Sequence, residues 1–174
     1  MIAGTYPAGV YEAFERQLSG QEIEMERVVT QDEYEALAQA DVLVLRILKA
    51  QEKDLAHIKG LKAIIRWGVG YDSVDIQAAG RHGVYVCNTP GANAFAVAEL
   101  TVMMMLALGR KLACHQKKIA EGRWSKQEYL NTSRTLNNKL VGIIGGGNIG
   151  RQVAEKVQAF QARAQYYDPC RLPR

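Results

Sequence analysis

The amino-acid sequence predicts an α/β protein in which helices wind parallel strands in two successive units. Three observations carry this expectation. Short β-branched runs alternate with longer helical patterns through the first half of the chain; the stretch NTPGAN (88–93) interrupts them; and KLVGIIGGGNIGRQVAEKVQAF (139–160) joins an apolar strand, a burst of glycine and an amphipathic helix. Such alternation marks βα units on a parallel sheet.

In chain order, strands are expected at MIA (1–3), IEMERVV (23–29), DVLVLR (41–46), KAIIRW (62–67) and GVYVCN (83–88), with helices near 7–18, 31–39, 51–58 and 73–81. Five strands wound in this way form a flavodoxin-like, doubly wound domain, assigned to residues 1–89. Pro90 lacks an N–H and pushes Thr89 out of helical geometry while Gly91 relaxes the turn, so the break reads as a domain hinge. Residues 90–174 then begin a second α/β domain. Its first helix, from Ala92 to Gly109, is apolar on nearly every side, and a small domain covers such a helix only with a second packing partner. The Met103, Met104 and Met105 stripe is read as packing. A more polar helix follows as far as EGRW (121–124), and a loop rich in Asn, Ser and Thr (131–138) leads to the glycine stretch.

Composition excludes several function classes. With 174 residues, 48% hydrophobic and 23% charged, the chain is globular, about one domain and a fraction long. Its formal charge of +4 is scattered among acids without a basic run, which argues against nucleic acid as a partner. No stretch has the layout of a signal peptide, and the longest apolar run, AVAELTVMMMLALG, is broken by Glu99 and too short to span a bilayer. A cytoplasmic protein with no membrane association is therefore expected. Cys87, Cys114 and Cys170 are odd in number and widely spaced, suggesting buried or incidental thiols rather than disulfides or a metal site.

Gly145, Gly147 and Gly150 form G-x-G-x-x-G between strand and helix, the context that a dinucleotide fingerprint needs. The first glycine makes the tight turn, the second lets backbone approach a pyrophosphate, and the third allows close helix–strand packing. Free N–H groups and the positive dipole end of the helix suit phosphates. A further strand, RAQYY, ends at Asp168, which lies 18 residues past Gly150. The expected spacing for an acid that accepts the ribose hydroxyls of NAD is about 20 residues. A carboxylate there would repel the 2′-phosphate of NADP, although Arg171 nearby opposes that preference.

RWGVGYDSVD (66–75) is a second strand, glycine turn and helix start, with Asp72 expected to cap the helix and Asp75 to add charge to its first turn. The N–H groups of Val69 and Gly70 suit a small anion such as a carboxylate. On the residues alone, a ligand site and a plain capped loop fit equally well.

Taken together and in order, RWGVGYDSVDIQAA, GVYVCNTPGANAFAVAEL, EGRW and VGIIGGGNIGRQVA…YYDP resemble the D-isomer-specific 2-hydroxyacid dehydrogenases, the family of phosphoglycerate dehydrogenase and hydroxypyruvate reductase. The resemblance runs from about Asp41 onward. It implies an NAD-dependent oxidoreductase that interconverts a 2-hydroxy acid and a 2-oxo acid by hydride transfer. Residues 1–89 would then be the N-terminal part of the substrate-binding domain. Residues 90–174 would be the first part of a Rossmann NAD-binding domain, whose long helix packs across the two-fold axis of a homodimer. The resemblance places Val69 and Gly70 on the substrate carboxylate, Val69 also at the nicotinamide, Asn148 and Ile149 at the pyrophosphate, and Asp168 at the adenosine ribose.

Two local departures stand out: Gln161 occupies a position that is usually glycine in the family, and the first strand is abbreviated. The family's catalytic Arg, Glu and His have no counterpart in residues 1–174, so no catalytic residue is assigned and the chain is expected to be an inactive or incomplete fragment. His57, His82 and His115 read as solvated, and Glu99 is given no chemistry. Only two strands of a sheet of about six follow the hinge, and an uncovered sheet face and edge are sticky. The alternative is a non-catalytic, NAD-binding and dimerising protein like the family's corepressor relatives.

Overall fold

The computed structural model describes residues 1–124 and 126–170. The chain divides into two compact units, Met1–Ala92 and Asn93–Arg174. In the first, β1 (Ile2–Ala3), β2 (Arg27–Val28), β3 (Val42–Leu45), β4 (Ala63–Arg66) and β5 (Tyr85–Cys87) form one parallel sheet in the order β2-β1-β3-β4-β5. That is the flavodoxin-like order, with its switch point between β1 and β3. The intervening helices are α1 (Val10–Leu18), α2 (Gln31–Glu35), α3 (Glu52–His57) and α4 (Ile76–Arg81).

The elements fall where the sequence pattern puts them, but the outer ones are shorter. At Gly4, with φ 114°, a Cβ would collide with the Arg46 carbonyl, so the chain turns away after Ala3. The β2 ladder then has only Ile2↔Arg27 and Ala3↔Val28 to pair, which trims IEMERVV to two residues. Helix α1 starts after the left-handed Gly9 rather than at Pro7. Its neighbours α2 and α3 open on capping boxes, Thr30 with Glu33 and Gln51 with Asp54. Leu43, Leu45 and Ile64 of the central strands pack with Tyr34, Leu55, Ala78 and Ala79 into a single buried core.

In the second unit, α5 (Ala94–Gly109) and α6 (Leu112–Ala120) precede β6 (Leu140–Ile144), α7 (Asn148–Ala159) and β7 (Arg163–Tyr167). The two strands are parallel, in register from Leu140↔Arg163 to Ile144↔Tyr167. Ala98 and Val102 of α5 pack with Val153, Val157 and Ala162, and Val141 and Ile143 close this core from the sheet side. The opposite sheet face is bare: Ile144 is 91% exposed and Tyr167 69%. A strand as apolar as LVGII is suited to a sheet covered on both faces.

Several sequence expectations are narrowed. Within its own unit only Ala94, Ala98 and Val102, one stripe of α5, are buried; Met105 joins that packing, while Met103 and Met104 are exposed and would pack only against a second partner, as the sequence expects of this helix. Glu99 is exposed as well. All three thiols are free and exposed, which removes the buried alternative and leaves the incidental one. Among the described residues no helix is long and apolar enough to cross a membrane, and no group of residues is arranged to hold a metal ion.

Candidate functional site

The glycine turn of the second unit is held from both sides. Gly145 adopts φ 95°, a conformation that glycine alone adopts easily, and its N–H donates to the Tyr167 carbonyl at 2.8 Å. Gly147 caps α7, and the position where its Cβ would stand is open space. A Cβ on Gly150 would collide with the Gly145 carbonyl oxygen, so the third glycine is fixed by close helix–strand packing. The first intrahelical bond of α7 runs from the Arg151 N–H to the Gly147 carbonyl at 3.0 Å. The N–H groups of Asn148, Ile149 and Gly150, at the helix N-terminus, therefore precede the ladder and remain available for an anion.

Asp168 closes the same turn. Its carboxylate accepts the Gly146 N–H at 2.7 Å on one oxygen and the Cys170 N–H at 2.8 Å on the other. These two amides, the Cys170 one foremost, together with the Arg151 guanidinium, hold Asp168 below the usual carboxylate range. Each oxygen keeps a second lone-pair site, so the group still has the capacity to accept two hydroxyls. The open approach at Gly147, the N–H groups that bond to no other described residue, and the lone-pair capacity left on Asp168 by its two described bonds fit the pyrophosphate and ribose of a dinucleotide.

Sequence reasoning missed Gly146 and Arg151. Gly146 carries the bond to Asp168, and Arg151 Nε donates to the Gly146 carbonyl at 3.0 Å. The only sequence signal for Arg151 was its place one residue past the fingerprint. Arg171 lies outside the described residues.

In the first unit, Gly68 adopts φ 144°, and the loop that carries Val69 and Gly70 is tied to the exit of β5. Asn88 Nδ2 donates to the Val69 carbonyl at 2.8 Å, and the Thr89 N–H donates to the Gly68 carbonyl at 3.1 Å. The helix cap is Asp75, which accepts the Ala78 N–H at 2.8 Å; Asp72 instead stands beside Gly70. The reason is the turn that the Val74 N–H makes to the Tyr71 carbonyl, which delays α4 to Ile76. Sequence reasoning also missed Arg66, whose guanidinium lies against Gly68 and donates to the Trp67 carbonyl at 2.5 Å.

The histidines are engaged elsewhere. His57 Nδ1 lies 2.8 Å from the Lys53 carbonyl oxygen, His82 Nε2 lies 2.8 Å from the Glu52 carboxylate, and the His115 ring meets Tyr129 edge-on at 5.0 Å.

Residues 7–166 match the family described as D-isomer specific 2-hydroxyacid dehydrogenase, catalytic domain. The chain belongs to this family. It is 37% identical over 151 residues to a hydroxypyruvate reductase of Thermotoga maritima, covering 86% of this chain and 49% of that protein. It is 34% identical over 154 residues to a D-3-phosphoglycerate dehydrogenase of Sus scrofa, covering 88% of this chain and 28% of that one. Among solved structures, an NAD-dependent formate dehydrogenase of Staphylococcus aureus in complex with NAD superposes with a TM-score of 0.70 at 30% identity, covering 97% of this chain and 55% of the other. This family member thus spans half or less of the length of these two curated relatives.

Proposed function

We propose that this chain supplies the substrate-binding domain (1–89) and the start of the nucleotide-binding domain (90–174) of an NAD-dependent dehydrogenase that interconverts a 2-hydroxy acid and a 2-oxo acid. The observation that carries this reading is the Asp168 carboxylate, held at the glycine turn by the Gly146 N–H with acceptor sites to spare. The N–H groups of Asn148, Ile149 and Gly150 hold the pyrophosphate, with Gly145 shaping the turn and Gly147 leaving room. Asp168 binds the adenosine ribose diol and selects NAD over NADP. Val69 and Gly70 hold the substrate carboxylate, with Val69 also against the nicotinamide. When bound, the nicotinamide exchanges a hydride with the hydroxyl-bearing carbon of the acid. The exposed Leu100, Met104 and Leu108 of α5, four residues apart on one face, form a homodimer contact. Three exposed free thiols suit the reducing cytoplasm.

The test pairs calorimetric titration of the chain against NADH and NADPH with an NADH-oxidation assay on glyoxylate, hydroxypyruvate and pyruvate. NADH should bind more tightly. Turnover should stay at background, because a positioned acid–base group contributes about 10²–10⁴-fold and the three histidines contact Lys53, Glu52 and Tyr129 rather than either glycine turn. Tighter NADPH binding would refute the cofactor assignment, and measurable turnover would refute the assignment of no catalytic residue to this chain.

A further inference from the structure

We infer that Arg151 is a specificity-determining residue of the nucleotide site: a cation in none of the ion pairs among the described residues, poised beside Asp168, that becomes a binding group for a ribose 2′-phosphate once the Asp168 charge is removed. The inference rests on the dinucleotide reading above and goes beyond it, because that reading gives Arg151 no contact with the cofactor.

A single residue joins the two side chains. Gly146 donates its N–H to Asp168 Oδ2 at 2.7 Å and accepts Arg151 Nε on its carbonyl at 3.0 Å. Only one of the five guanidinium N–H groups is used in that bond, which leaves both terminal nitrogens to donate. None of the ion pairs among the described residues involves Arg151, although Glu155 stands one helical turn further on. A cavity of about 400 Å³ opens beside it, lined by Gly146, Arg151, Glu155, Gln165 and Tyr166 among others. The Arg151 charge also helps keep Asp168 ionised, which shows that the two groups lie within electrostatic reach. With Asp168 in place, a phosphorylated ribose meets a carboxylate whose charge opposes it and offsets the pull of the neighbouring cation. Without that carboxylate the same phosphate meets a planar donor suited to it.

The test measures NADH and NADPH affinity by calorimetry for the full chain and four variants. They are Asp168→Ser alone and Asp168→Ser combined in turn with Arg151→Ala, Arg151→Lys and Arg171→Ala. The serine keeps an acceptor for the Gly146 N–H, and a thermal melt of each variant confirms folding. Asp168→Ser should raise NADPH affinity relative to NADH by about 10–100-fold, the worth of a charge-assisted hydrogen bond. Adding Arg151→Ala should abolish that gain, Arg151→Lys should restore part of it, and Arg171→Ala should leave it intact. A gain that survives Arg151→Ala, or one lost with Arg171→Ala, overturns the inference while the NAD reading stands. So does the absence of any gain in a folded Asp168→Ser variant that still binds NADH. A wild-type chain that binds neither nucleotide overturns the NAD reading itself, and this inference with it.

Discussion

Replacing Gln161 with glycine should stabilise the second unit. Helix α7 ends at Ala159 with Phe160 as its cap, and Gln161 follows with φ 60°, in the left-handed region. Its N–H donates to the Gln158 carbonyl at 2.8 Å, and the Ala162 N–H donates to the Val157 carbonyl at 3.2 Å, the paired bonds of a Schellman motif. Ala162 and Val157 also touch in the core, so the motif is fully formed around a residue that fits it poorly. A side chain in this conformation costs about 1–2 kcal/mol. Glycine relieves that cost but gives back about 0.5–1 kcal/mol through the freedom of its unfolded chain. The balance is a gain of roughly 0.5–1 kcal/mol, or about 1–4 °C in Tm for a chain of this size. No side-chain hydrogen bond among the described residues is lost, and the Gln161 carbonyl keeps the Asn138 N–H at 3.0 Å. Urea unfolding followed by circular dichroism, with Gln161→Ala as the control that retains a Cβ, measures the effect. If the glycine variant is no more stable than the alanine variant, the left-handed strain argument is wrong.

Gly150→Ala drives a methyl group into the Gly145 carbonyl, with Ile143 Cγ2 pressing at 3.1 Å, and should cost about 1–3 kcal/mol and abolish NADH binding; an unchanged melting curve with intact binding would contradict the packing. Met104→Glu together with Leu108→Glu, both exposed on α5, should convert a dimer to a monomer in light scattering without lowering the Tm. A dimer that persists would remove α5 as the contact. Because the amides of Cys170 and Gly146 depress the folded pKa of Asp168, its contribution is present above the ordinary value of 3.8 and lost only as pH falls through the lower folded value. The midpoint of the NMR titration of its carboxyl carbon should therefore lie below that ordinary value, and a midpoint at or above it would refute the hydrogen-bonded geometry.

Much of this fold was legible because its signals are local. The central strands of the first unit are β-branched runs, and the glycine fingerprint needs only six residues of chain, Gly145 to Gly150, to be read. What escaped was set by partners distant in sequence. The length of β2 is fixed by a two-residue neighbour, β1, and by the Arg46 carbonyl that closes over Gly4. Asp75 caps α4 rather than Asp72 because a turn from Tyr71 to Val74 comes between them. Helix α5 looked buried on every side by composition, yet its own unit covers only the stripe through Ala94, Ala98 and Val102. Arg151 and Arg66 were invisible as site residues, since a single arginine beside a glycine turn acquires meaning only when its donors are seen to point at that turn.

The order of strands in the first unit bears on how the protein leaves the ribosome. Every residue of that unit's core, from Ala3 to Val84, is synthesised before Ala92, and after β1 and β2 each new strand joins the growing edge in turn, β3 beside β1, β4 beside β3, β5 beside β4. The nascent first unit can therefore close while the second is still being translated, as N-terminal domains generally do.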